Sequence, residues 1–105
     1  MILIATASFP PASVKQAARI YSDMKKLPAA IRRQGPFFKV DPARALNVIT
    51  VYEIDAAVEW EVKKFLEKRY AVFADIPGFT WEIEQWLNLP DAVSLLAKTP
   101  VSGGS

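Results

Sequence analysis

A mixed α+β sandwich is the fold class this sequence predicts, and three observations predict it. Apolar runs near both ends of the chain and in its middle read as strands, while two amphipathic stretches read as helices. The two kinds alternate as strand, helix, strand, strand, helix, strand, which is the order of a split βαβ unit. That string fills nearly all of the 105 residues, so a single domain over residues 1–98 accounts for it, with 99–105 as a flexible Ser/Gly-rich tail.

The first strand, Ile2–Phe9, is apolar at nearly every position, as expected of a central strand covered on both faces. Pro10 and Pro11 end it because neither can donate to a ladder. Ser13 followed by Gln16 reads as a capping box. Val14, Ala17, Ala18, Tyr21, Met24 and Leu27 then recur at helical spacing, with Lys15, Arg19, Asp23 and Lys26 turned outward. Pro28 marks the helix end, and Gln34, Gly35 and Pro36 read as a loop. A short strand over 37–40 and a loose hairpin over 41–44 lead to a strand over 46–54. In that strand Thr50, Tyr52 and Ile54 share one face, and Ile49, Val51 and Glu53 the other.

Asp55 is placed to cap the second helix, whose expected stripe is Val58, Val62, Phe65, Val72 and Phe73. Pro77 and Gly78 form a turn into the last strand, over 79–86. There Phe79, Trp81 and Ile83 alternate with Thr80, Glu82, Glu84 and Trp86. Pro90 and Asp91 open a short C-terminal helix. Together these elements describe a ferredoxin-like sandwich, with helices on one sheet face and the other face bare. A bare face must be polar, bind something or meet a second copy.

Composition excludes much chemistry. The chain has no Cys and no His, so it has no disulfide framework, no thiolate nucleophile, no imidazole base and no soft-ligand metal site. No metal and no cofactor is expected. The apolar opening is too short to span a bilayer and lacks a basic flank, so the expectation is a cytoplasmic protein with no membrane partner. Nucleic-acid binding is not expected either, because the strand over 46–54 lacks the glycine and basic residues of an RNA-binding sheet. The net charge is +2, yet it is unevenly spread: residues 23–44 carry six basic and two acidic groups, and 53–91 carry nine acidic and four basic. That asymmetry reads as solvated faces, as complementary charge across an oligomer interface, or as a basic rim steering an anionic ligand.

The polar groups left for a site are few. Tyr52, Thr50, Tyr21 and Trp81 are the candidate ligand-binding residues, lining a pocket between sheet and helices for a small apolar or aromatic molecule, or forming plain core. Glu82 and Glu84 sit two apart on one strand face, as a carboxylate pair or a wet edge. Arg69 interrupts the apolar stripe of the second helix, as an anion anchor or a snorkelling side chain. No catalytic residue is assigned.

The apolar first and third strands, the Pro77-Gly78-Phe79 turn and the short apolar C-terminal segment together resemble the dimeric α+β barrel superfamily, over Ile2 to about Leu96. The chain most resembles that superfamily's small uncharacterised members. The resemblance implies a homodimer in which two ferredoxin-like sheets meet face to face. The function it implies is a dimeric small-molecule-binding protein. The alternative is a cofactor-independent enzyme, monooxygenase- or isomerase-like, acting on a small aromatic or lactone substrate with Tyr52 as proton donor and Trp81 as a stacking wall. The superfamily's haem and histidine-dependent activities have no residues here to carry them.

Overall fold

The computed structural model describes residues 1–98. Residues 99–105, read from sequence as a tail, lie outside the described residues. Four strands, β1 (Ile2–Phe9), β2 (Arg32–Val40), β3 (Leu46–Glu53) and β4 (Thr80–Trp86), form one antiparallel sheet in the order β2-β3-β1-β4. Three α-helices, α1 (Val14–Ser22), α2 (Glu59–Ala71) and α3 (Leu89–Lys98), complete the described chain. The mixed α+β class is as the sequence predicts, and the arrangement is consistent with a ferredoxin-like sandwich.

The register settles which side chains share a face. Leu3 stands opposite Tyr52, Ala5 opposite Thr50 and Ile83, and Ala7 opposite Val48 and Trp81. Directly opposed residues project to the same side, so this is the face that carries the core. The core falls into two clusters. One joins Leu3, Ala5, Tyr52 and Ile54 to Ile31 and to Val62 and Leu66 of α2. The other joins Ala7 and Phe9 to Ala17 of α1 and to Phe73 and Ile76. Phe9, Phe73 and Phe79 pack there with ring centroids 4.7–5.6 Å apart. Leu3 and Leu66 are fully buried, each contributing about 1.5–3 kcal/mol of apolar transfer.

Several local expectations need correction. Ser13 does not cap α1 through its side chain. It closes a 3-10 turn, Pro11–Ser13, and its hydroxyl donates to the Pro77 carbonyl at 3.2 Å, tying the start of α1 to the turn before β4. Helix α1 ends at Ser22, short of Pro28. Strand β2 is longer than the sequence suggests, because a bulge between Gln34 and Phe37 absorbs the segment read as a loop. Gly35 allows that bulge: its φ is +95°, and a Cβ there would stand 3.0 Å from the Ile49 carbonyl oxygen. The buried face of α2 is Val62 and Leu66, continuing through half-buried Tyr70 to Phe73, whereas Phe65 and Val72 are exposed. Val62, Leu66 and Tyr70 form an i, i+4 row along α2, and Phe73 follows just past its end. Asp55 does cap, accepting from the Ala57 amide at 3.0 Å, although it opens a 3-10 turn that leads into α2.

The opposite sheet face carries Ile2, Ile4 and Thr6 of β1, with Ile49, Val51 and Glu53 of β3. On its flanks lie Phe37 and Lys39 of β2 and Glu82, Glu84 and Trp86 of β4. Helix α3 exposes Leu89, Val93 and Leu96. Among the described residues no helix is long and apolar enough to cross a membrane.

Candidate functional site

Small side chains make room where the two core clusters meet. Ala7 on β1 and Ala17 and Ala18 on α1 stand where leucine or isoleucine would fill the space between helix and sheet. The result is a cleft of about 220 Å³. Its floor is Val48, Thr50 and Tyr52 of β3, and its far wall is Tyr70 and Phe73. Phe38 and Arg33, on the edge strand β2, and Tyr21 of α1 stand at its side.

Of the four residues singled out from sequence, Tyr52, Thr50 and Tyr21 line this cleft. Trp81 does not. It lies behind the wall, stacked on Tyr70 with ring centroids 5.8 Å apart and planes 21° from parallel. Trp81 therefore fixes the orientation of a lining residue instead of lining the space itself. Tyr70 is the residue that the sequence reading missed. Its signal was present, because Val62, Leu66 and Tyr70 recur every four residues, but the row through Phe65 and Val72 competed with it. Arg33 was missed because the bulge hid the first half of β2.

The hydroxyls of Tyr52 and Tyr70 meet at 2.8 Å. Two phenols sharing one hydrogen bond use one of their two O–H donors, so one proton remains to donate at the cleft. Tyr52 is only 2% exposed, and burial pushes its phenol well above the ordinary value of 10.0, with Tyr70 adding to the shift and Arg69 and Arg33 opposing it. Tyr52 thus holds its proton at any physiological pH. At the side of the cleft Arg33 donates to the Tyr21 hydroxyl at 3.2 Å, linking β2 to α1. Arg69 donates to the Lys25 carbonyl at 2.7 Å, which anchors the segment after α1 to α2. Its guanidinium is neither buried nor solely snorkelling.

Glu82 and Glu84 point to the bare sheet face, away from the cleft. A shallow depression adjoins Glu82, over Thr6, Ser8, Phe37 and Ile49 with Trp81 at its margin, and it is open along the sheet. Among the described residues no three carboxylates gather as a metal site. No family model, no curated protein and no solved structure matches this chain.

Proposed function

We propose that this chain is a small-molecule-binding protein of the dimeric α+β barrel type. The observation that carries the reading is the sheet–helix cleft with a hydrogen-bonded tyrosine pair at its base. Ligand sites are mostly apolar hollows with a few convergent polar groups, and this hollow has that composition. Its volume, below the roughly 300 Å³ lower end of drug-sized sites, suits a single ring or a short chain.

Dimer formation is supported by the surface the chain leaves uncovered. That surface includes Phe37 and Ile49 on the bare sheet face and the exposed apolar residues Leu89, Val93 and Leu96 of α3. Four strands of about eight residues present only about 500 Å² in plan. A stable interface needs about 800 Å² from each partner, so α3 is expected to contribute. The charges are self-complementary as well. A two-fold axis along the strands lays β2 of one copy over β4 of the other, bringing Lys39 toward Glu82. Neither has an ion pair among the described residues.

The enzymatic alternative uses Tyr52 as a proton donor, and the firmly held Tyr52 proton weighs against it. Saturation-transfer NMR with a panel of single-ring aromatic compounds tests the binding reading. At least one compound should bind, and Ala18→Phe, which fills the cleft from an exposed helix position, should abolish its signal. Binding that survives Ala18→Phe would contradict the cleft as the site.

A further inference from the structure

A second hollow adjoins the cleft, and its chemistry is different. It is bounded by Lys25, Lys26, Arg33 and Arg69, together with Tyr21 and Ile31, and no acidic side chain lines it. Tyr21 and Arg33 belong to both hollows, so the hydrogen-bonded pair they form is the partition between an apolar space and a basic one. Among the described residues none of the four cations makes an ion pair. Arg69 has one guanidinium nitrogen committed to the Lys25 carbonyl, and Arg33 has one committed to Tyr21. A guanidinium has five N–H donors, so both retain several.

Resting on the small-molecule reading above, we infer that the ligand is a small organic anion, a single-ring or short-chain body carrying a carboxylate. The body lies in the cleft and the carboxylate reaches Arg33 at the partition. The planar guanidinium fork matches a carboxylate in two parallel hydrogen bonds, which a point charge such as lysine does not offer. Lys25, Lys26 and Arg69 raise the local potential without needing direct contact. The one O–H donor that the Tyr52–Tyr70 bond leaves unused gives the body one further polar contact. The uneven charge along the chain acquires a use here, since these four cations are all drawn from or packed against the basic stretch after α1.

The test compares 3-phenylpropionate with 3-phenylpropanol, which share a ring and chain and differ in charge, by NMR titration of the full chain. The carboxylate should bind about tenfold or more tightly, the scale of a charged hydrogen bond over a neutral one. Arg33→Gln should remove most of that preference, read as the ratio of the two probes' affinities in the same variant. Added salt should weaken the carboxylate alone. Equal affinity for the two probes would overturn the anion inference and leave the cleft reading standing. Failure of both probes to bind would overturn the cleft reading as well. A carboxylate preference unchanged in Arg33→Gln would place the anion elsewhere and defeat the inference.

Discussion

Removing the Tyr52 hydroxyl tests the base of the cleft, and its cost follows from the surroundings. In Tyr52→Phe the ring stays, packed between Leu3 and α2, and only the 2.8 Å bond to Tyr70 is lost. An ordinary hydrogen bond contributes about 0.5–1.5 kcal/mol net, and a stranded buried partner costs about 1–3 kcal/mol. The stranded partner here is Tyr70, which is half-buried and can turn its hydroxyl toward water in the cleft. The expected loss is therefore near 1 kcal/mol, a fall in Tm of about 4–8 °C for a domain of this size. Tyr70→Phe should cost a similar amount, since it strands the better-buried Tyr52 hydroxyl but gives up some exposed phenol. The double variant should then lose much less than the two single losses added, with a coupling of about 1 kcal/mol. Urea denaturation of the four proteins measures this cycle directly. Additive losses, or a neutral Tyr52→Phe, would refute the shared bond and the description of the cleft base built on it.

Three further outcomes follow from the same structure. Tyr52 keeps its proton when folded but releases it near pH 10.0 when unfolded. Its contribution is therefore complete below that pH and is lost as pH rises further, at up to about 1.4 kcal/mol per pH unit, and pH-dependent denaturation should show a shallower alkaline fall in Tyr52→Phe. Gly78 has φ +76°, and a Cβ would stand 2.4 Å from Cγ of Pro10, so Gly78→Ala should cost more than about 1 kcal/mol by calorimetry, with an unchanged Tm as the contrary result. Sedimentation equilibrium at micromolar concentration should give twice the 11.7 kDa chain mass, and Ile49→Glu on the bare face should return it to 11.7 kDa; a wild-type monomer would defeat the barrel proposal.

Much of the architecture was legible because periodicity reports burial. The unbroken apolar run of β1 fits its central place, and the alternation of β4 fits an edge strand with one polar face. What sequence obscured were the places where tertiary contact overrode local pattern. Ser13 has capping chemistry but finds the Pro77 carbonyl instead. Gly35 and Pro36 look like a chain break, yet β3 holds the strand together on both sides of the bulge. The candidate site was legible in part for a related reason. Thr50 and Tyr52 stand out as hydroxyls on an otherwise apolar strand face, which is visible in one dimension. That Trp81 stacks behind Tyr70, and that Arg33 meets Tyr21, depends on how α1 and α2 lie across the sheet. No spacing along the chain encodes that crossing.

In the proposed function a small molecule enters the sheet–helix cleft while the bare face serves a second copy. Backbone amide NMR mapping with the tighter-binding of 3-phenylpropionate and 3-phenylpropanol tests it most directly. Ligand-induced shifts are expected at Ala17, Ala18, Val48 and Thr50, with Ile4 and Val51 unmoved. Shifts centred on Ile4, Val51 and Glu84 would place the ligand on the bare face and contradict it.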